Sequence, residues 1–186
     1  MSRQILSSSA TLLRRASASP LVYSRGAAAF LSSASCDVVL VGCGVPGRGM
    51  GWYHAKQLLD GDVPSGRLTD VVEPWFLGSG ANSAAGAEFA SFKEDNAGVN
   101  FHSTLDTLEG GSPKLAIISG RTADNPALLR KVIDRGCTHI FLEKPGAPSV
   151  GELEDMAAYA KEKGVGVFMG CEYVFPWWQL TITLGL

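Results

Sequence analysis

A glycine-rich loop at residues 42–47, with the sequence GCGVPG, restricts the fold of this 186-residue chain more than any other feature. It follows residues 37–41 (DVVLV), a short and largely apolar run that is typical of a strand buried on both faces of a parallel sheet. After the loop, the pattern predicts a helix over residues 50–59. A G-x-G-x-x-G spacing between a strand and a helix is the arrangement that binds the pyrophosphate of a dinucleotide.

Each glycine of this loop has a predicted role. Gly42 permits a tight turn, Gly44 lets the backbone approach the phosphates, and Gly47 lets the helix pack close to the strand. The helix N-terminus adds unpaired amides and a partial positive charge. We therefore expect five residues to line the pyrophosphate site: Gly42, Gly44, Val45, Pro46 and Gly47. The alternative is a glycine turn that only connects the strand to the helix.

The rest of the chain alternates between short apolar runs and helical segments. Further strands are predicted at residues 68–73, 99–101, 115–119, 138–143 and 165–169, and further helices at residues 83–94, 125–135 and from Ser149 to Gly164. Asn125 before Pro126 predicts a helix N-cap, and Ser149 with Glu152 forms a capping box. The alternation predicts an α/β fold, a doubly wound Rossmann-type parallel sheet with helices on both faces.

Glu73 stands at the end of the second predicted strand, 26 residues after Gly47. An acidic side chain in this place accepts hydrogen bonds from the hydroxyls of the adenosine ribose. A carboxylate also repels a 2′-phosphate, and no arginine follows Glu73 closely. The position therefore favours NAD over NADP, although an acid at a strand end is often only solvated.

A second group of polar residues, Glu143, Lys144 and Pro145, follows the fifth predicted strand. The carboxyl ends of parallel strands border the ligand crevice, so Lys144 is expected to point at the nicotinamide end of the cofactor. A lysine there can hydrogen-bond the nicotinamide ribose or stabilise an alkoxide that develops as hydride leaves. Pro145 restricts Lys144 to extended geometry. The alternative is an exposed Lys-Pro turn.

The motifs VGCGVPGRG, LAIIS, FLEKPGA and VGVFMGCEYV, in that order, resemble the N-terminal domain of the Gfo/Idh/MocA family (glucose–fructose oxidoreductase, inositol dehydrogenase and rhizopine catabolism). The resemblance covers about residues 37–173, and the E-K-P tripeptide is its most characteristic part. It implies an NAD(P)-dependent oxidoreductase that transfers hydride between the nicotinamide and a sugar-like or cyclitol-like hydroxy compound.

The resemblance also implies roles for individual residues. Residues Gly42, Gly44 and Gly47 would bind the pyrophosphate, Glu73 the ribose, and Lys144, with Glu143 and Pro145 beside it, would position cofactor and substrate near the reacting carbon. Ser119, Arg121 and Thr122 would line the cofactor crevice. Asn125 stands where many relatives have a histidine, and Lys144 is the candidate catalytic residue.

Relatives of this family continue into an α+β substrate domain, which we expect this chain to lack. Residues 174–186 resemble nothing in the family, and we interpret them as an apolar tail that arose by truncation or mis-splicing. The alternative is a genuine short relative with an apolar docking tail. The alternative function is a non-catalytic nucleotide-binding module or partner subunit. A homo-oligomer is possible in either case.

Residues 1–35 contain four arginines, ten serines and no acidic residue, which is typical of an organellar transit peptide. The alternative is a disordered basic tail. We expect a mitochondrial location, with a plastid as the alternative, and residues 36–173 as the folded domain. The net charge of −2 gives no reason to expect a nucleic acid or a membrane as partner. No spacing of cysteine and histidine residues predicts a metal site.

Four further residues were considered for a role in the site. Trp75 and Phe76 either flank the adenine or pack in the core. Cys43 could be sensitive to oxidation because helix N-termini lower thiol pKa values, although its small size is the preferred explanation. His54 is expected to serve packing.

Overall fold

The computed structural model describes residues 35–109 and 114–170, which form one parallel sheet between two layers of helices. Its strands are β1 Cys36–Val41, β2 Gly66–Val72, β3 Asn100–His102, β4 Lys114–Ile118, β5 Cys137–Leu142 and β6 Gly166–Met169. Its helices are α1 Met50–Leu59, α2 Ala84–Asp95, α3 Asn125–Asp134 and α4 Val150–Glu162. Short 3₁₀ turns at Leu105–Thr107 and Thr122–Asp124 precede β4 and α3.

The strand order is β3-β2-β1-β4-β5-β6, and each pair of neighbouring strands is parallel. The chain therefore runs outward from β1 in one direction, returns, and runs outward from β4 in the other. The crevice at the carboxyl ends of β1 and β4 lies where this order reverses, which is the ligand-binding position of doubly wound sheets. The predicted Rossmann-type fold is confirmed.

Side chains that alternate along the strands pack into two separate hydrophobic cores, one on each face of the sheet. Val38 and Leu40 of β1 pack on one face with Phe89 of α2, whereas Val39 and Val41 pack on the other with helices α3 and α4. All four valine and leucine side chains are buried. Burial on both faces explains why β1 has no polar alternation after Asp37.

The predicted helix ends are correct in part. Ser149 caps α4 by accepting from the Glu152 amide at 3.3 Å, but the Glu152 carboxylate accepts from the Ser149 hydroxyl instead of reaching the Ser149 amide. The prediction that Asn125 is an N-cap is wrong. Asn125 is already helical, Asp124 precedes it, and the Asn125 side chain is used elsewhere.

The packing role predicted for Gly47 belongs instead to Gly51. A Cβ added at Gly47 would meet nothing within 4 Å, and the positive φ of 77° is what favours glycine there. A Cβ at Gly51 would lie 2.0 Å from the Gly42 carbonyl oxygen. The close contact between α1 and the loop is therefore made one residue into the helix.

Two predicted segments lie outside the described residues: the transit peptide, apart from residue 35, and the tail at residues 174–186. Within residues 35–109 and 114–170, none of the helices has the length and apolar character needed to cross a membrane.

Candidate cofactor-binding site

The site residues lie at the carboxyl edge of the sheet, each one position beyond its strand. The amides of Glu73, Ser119 and Glu143 donate to the carbonyls of His102, Val41 and Ile118 at 2.9, 2.8 and 2.9 Å. Each bond extends the strand ladder by one step, so the backbone of these residues is held as firmly as that of a strand. The sequence-based strand ends, which included these three residues, are therefore one position too long.

The glycine loop begins with a turn for which only glycine fits. Gly42 has a φ of 85°, and its amide donates to the Val72 carbonyl at 2.9 Å. A Cβ on Gly42 would lie 2.8 Å from the Ser119 carbonyl oxygen. The chain leaving β1 thus presses against the chain leaving β4, which confirms the tight turn and brings Ser119 to the loop.

Glu73 closes the other side of the loop. Its Oε2 accepts from the Gly44 amide at 2.9 Å, and its Oε1 accepts from the Trp75 amide at 3.3 Å. The residue is only 6% exposed. A buried carboxylate that accepts two backbone amides is fixed in place, so its oxygens are presented at the end of β2.

The turn that follows Glu73 separates the two aromatic residues for which the sequence left two interpretations. Phe76 is buried and stacks on Phe89, with ring centroids 5.4 Å apart, so it is a core residue. Trp75 is 58% exposed and lies against Gly80, where an added Cβ would be 2.3 Å from the indole nitrogen. A large aromatic ring therefore stands at the surface in the turn that follows Glu73.

The Glu-Lys-Pro segment follows β5 on the opposite side of the crevice. Glu143 is buried, and its Oε1 lies 2.7 Å from His54 Nε2 of α1. Lys144 and Pro145 are exposed, and the peptide bond between them is cis. The ring of Phe141 packs edge-on against His54, with centroids 5.4 Å apart. His54 is buried, as expected, but the sequence did not reveal its contact with Glu143.

The crevice after β4 contains one buried polar atom that has no partner in the described structure. Asn125 is buried, and its Nδ2 donates to the Gly146 carbonyl at 2.9 Å, while its Oδ1 has no hydrogen-bond partner. A buried unpaired acceptor calls for a donor from water or a ligand. Gly120, between Ser119 and Arg121, lies beside this atom, because a Cβ there would be 3.7 Å from Asn125 Oδ1.

The other residues predicted to line this crevice differ in their surroundings. Thr122 begins the 3₁₀ turn that leads into α3 and is half-buried. Arg121 extends into solvent, and its Nε donates to Asp124 at 2.8 Å. The structure therefore brings Ser119 to the glycine loop but directs the Arg121 side chain to the first turn of the following helix.

These features fit a nicotinamide dinucleotide. The positive-φ glycines expose backbone, α1 directs its N-terminus at the loop, Glu73 offers carboxylate oxygens for ribose hydroxyls, and Asn125 offers an unpaired acceptor deeper in the crevice. Val45 and Pro46 are half-buried between the glycines, and Gly47 is exposed at the rim. In the part of the chain that the structure describes, no three His, Cys, Asp or Glu side chains are grouped as metal ligands.

Several solved structures have the same fold. Apo scyllo-inositol dehydrogenase from Lactobacillus casei superimposes with a TM-score of 0.58 at 14% identity, covering 75% of this chain and 37% of its own. The WlbA dehydrogenase of Bordetella pertussis, in complex with NADH and UDP-GlcNAcA, gives 0.55 at 19% identity, with coverages of 73% and 37%. GenD2 from gentamicin A biosynthesis, in complex with NAD, gives 0.53 at 23% identity, with coverages of 86% and 37%.

The chain thus spans little more than a third of the length of these proteins. A search of curated proteins finds no match. A family model described as "Oxidoreductase family, NAD-binding Rossmann fold" (GFO_IDH_MocA) matches residues 36–171, almost the whole of the described domain. The chain therefore belongs to the Gfo/Idh/MocA oxidoreductase family and carries its NAD-binding Rossmann domain.

Proposed function

We propose that this domain binds NAD in preference to NADP and serves an oxidoreductase that acts on a polyhydroxylated, sugar-like or cyclitol-like compound. The observation that carries the proposal is the Glu73 carboxylate, buried at the end of β2 and bonded to the Gly44 amide of the glycine loop. This hydrogen bond connects the glycine loop, which would bind the pyrophosphate, to the carboxylate that would bind the adenosine ribose.

The preference for NAD follows from charge and burial. A ribose 2′-hydroxyl can donate to a Glu73 oxygen, whereas a 2′-phosphate would bring negative charge against a carboxylate that little water reaches. Trp75, exposed in the same turn, offers a flat apolar surface on the adenine side. Both features act on the adenosine half of the nucleotide.

The proposed reaction takes place on the side of the crevice opposite Glu73, beside the Glu-Lys-Pro segment. The nicotinamide, when bound, supplies or accepts the hydride. Lys144, exposed directly after Glu143, can accept the proton of a substrate hydroxyl while hydride passes from the same carbon to the nicotinamide, and it returns that proton in the reverse direction. It is therefore our candidate catalytic residue in this chain.

The substrate class is proposed from the chemistry of the solved relatives. One of them is a scyllo-inositol dehydrogenase, and another was crystallised with a nucleotide-linked sugar acid. Both compounds are hydroxylated rings, whose secondary alcohol carbons can exchange hydride with a nicotinamide. We propose the same class, without choosing one compound, for the protein that contains this domain.

The experiment is a paired titration of the purified chain with NADH and NADPH, followed by nucleotide fluorescence. We expect NADH to bind at least about tenfold more tightly, and Glu73→Gln to remove most of this difference by weakening NADH, since a charged hydrogen bond is lost. Glu88→Gln, at an exposed position of α2, is the matched control and should leave both affinities unchanged.

Tighter binding of NADPH, or no binding of either nucleotide by the folded chain, would refute the proposal. A second assay offers NAD with a panel of cyclitols and sugars. NADH binding without turnover of any of them would replace the catalytic proposal by that of a nucleotide-binding module or partner subunit.

A further inference from the structure

The contact between His54 and Glu143 joins two segments that are 89 residues apart in the chain. His54 belongs to α1, the helix that begins just after the glycine loop, and Glu143 opens the Glu-Lys-Pro-Gly turn at residues 143–146. The two side-chain atoms are 2.7 Å apart, with His54 4% and Glu143 8% exposed. A short hydrogen bond between two buried side chains holds α1 and the turn together.

The turn at residues 143–146 is held from three directions. The sheet holds it through the Glu143 amide on the Ile118 carbonyl, and α3 holds it through Asn125 Nδ2 on the Gly146 carbonyl. His54 supplies the third hold. This contact comes from α1, the helix that follows the glycine loop.

Helix α1 in turn packs closely against the glycine loop. Gly51 packs so closely on Gly42 that a Cβ would lie 2.0 Å from the Gly42 carbonyl oxygen. His54 lies one turn further along the same helix. The distance from the loop to Glu143 is therefore set by a short and rigid path: loop backbone, helix α1, the imidazole and the carboxylate.

The His54–Glu143 pair is shielded by the protein around it. The Phe141 ring lies edge-on against the imidazole, and both polar residues are shielded from solvent. A buried carboxylate that loses its partner must find another or move toward water. Loss of the imidazole nitrogen is thus expected to displace Glu143 and, with it, the adjoining Lys144.

We propose that His54 is a positioning residue which, through Glu143, sets the separation between the glycine loop and Lys144. The inference rests on the proposed function, because that separation matters only if the glycine loop binds the pyrophosphate and Lys144 lies beside the nicotinamide. His54 governs how the nicotinamide half of the cofactor is held and leaves the adenosine half to Glu73 and the loop.

The test compares NADH with ADP-ribose, which contains the same pyrophosphate and adenosine but no nicotinamide. His54→Phe keeps a ring and removes the hydrogen bond, and it should weaken NADH about tenfold while ADP-ribose is unchanged. His54→Gln restores a side-chain amide donor and should recover most of the NADH affinity. His139→Phe, at a half-buried histidine of β5, is the matched control and should change neither affinity.

Equal weakening of both ligands by His54→Phe would overturn the proposal, since it would show that His54 only preserves α1 and the loop. So would NADH affinity that is unaffected by His54→Phe. Failure of the wild-type chain to bind either ligand is a different result, because it refutes the proposed function itself.

A readout without nucleotide keeps the positioning claim testable in that case. The Gly146 and Ala147 amides donate within the turn, to the Glu143 and Pro145 carbonyls at 3.1 and 2.9 Å. His54→Phe should speed hydrogen exchange of these two amides about tenfold and leave the amides of α3 unchanged. Unchanged exchange in the turn of a folded variant would show that His54 does not hold it.

Discussion

Cys43 lies inside the glycine loop, at a place where a thiol usually becomes acidic. The N-terminus of a helix favours the thiolate, and the sequence therefore allowed a reactive cysteine there. Burial, reinforced by the negative charge of Glu73, instead raises the pKa of the Cys43 thiol to about 12. The residue is 1% exposed and packs in the core on the α1 side of the sheet, which agrees with the preferred interpretation of Cys43 as a small filling residue.

This environment predicts how the thiols react. In a Cys171→Ser background, a neutral disulfide reagent at pH 8 should modify Cys36, which is exposed, in the native chain. Cys43 and Cys137 are buried, and burial raises the pKa of Cys137 to about 11. Both should react only after unfolding. The chromophore released by the reagent counts the modified thiols, and peptide mass spectrometry identifies which cysteines carry the modification. Native modification of Cys43 would contradict the structure.

Residue positions that depend on local order could be predicted from the sequence, and contacts between distant segments could not. The place of Glu73 beside the glycine loop was predicted because a strand end has a defined position relative to that loop. The partner of Glu143 was not, because nothing between residues 54 and 143 indicates that α1 crosses beside β5. The buried role of Asn125 was missed for the same reason, since Asn before Pro is also the pattern of a helix cap.

Among the secondary-structure elements, β2, β3 and β4 share a buried polar group. Asp70 of β2 accepts from His102 Nε2 and Lys114 Nζ, both at 3.0 Å, and from the Thr69 hydroxyl at 2.7 Å. Burial pushes the pKa of Asp70 upward, but these hydrogen bonds outweigh it and lower the pKa below its usual value. The ionised carboxylate therefore stabilises the side of the sheet that ends in β3.

The sign of the pH dependence follows from that lowered pKa. The stabilisation is fully present above the unfolded-state pKa of about 4, and it is lost as the pH falls through the lower folded-state value. At pH 7, Asp70→Asn should reduce the free energy of unfolding by about 3 kcal/mol, since it leaves Lys114 without its carboxylate. The difference from wild type should shrink below about pH 4.

Urea unfolding at pH 7 and at pH 3 measures this effect. Asp95→Asn, on the exposed side of α2, is the control and should change stability by less than about 0.5 kcal/mol. An equal loss for Asp70→Asn at both pH values would show that packing, and not charge, holds this group together.

The bounds of whole elements were predicted more closely than their packing. Helix α1 has the predicted bounds, and all six strands and four helices were expected in their observed order. Hydrophobic runs and helix-stop glycines are local signals, so they reveal existence and length. Which glycine allows α1 to approach the loop depends on the crossing geometry, and that geometry placed the contact at Gly51 instead of Gly47.

At the scale of the molecule, the family match covers residues 36–171 and leaves residues 1–35 outside it. We propose that this arginine-rich and acid-free segment directs import into mitochondria. Fused to a fluorescent protein, residues 1–35 should direct it to mitochondria, as scored by microscopy and by protection from added protease.

The control for the import experiment removes only the positive charges of residues 1–35. Replacing Arg3, Arg14, Arg15 and Arg25 by glutamine should leave the fusion outside the organelle, because the basic character of the segment is lost. Uptake by isolated chloroplasts instead of mitochondria would favour the plastid, and retention of the unmodified fusion outside both would refute the proposal.

The bond between Glu73 and the Gly44 amide limits how the nucleotide preference of this domain can be redesigned. A substitution that simply removes the acid, as a conversion to NADP would require, also leaves the Gly44 and Trp75 amides without their acceptor. A successful conversion must therefore introduce two groups at once, a neutral acceptor such as a serine or asparagine at position 73 and a cation nearby for the extra phosphate. A change of cofactor preference among related proteins is therefore expected to involve both replacements together. Neither replacement alone preserves the shape of the glycine loop and also binds the 2′-phosphate.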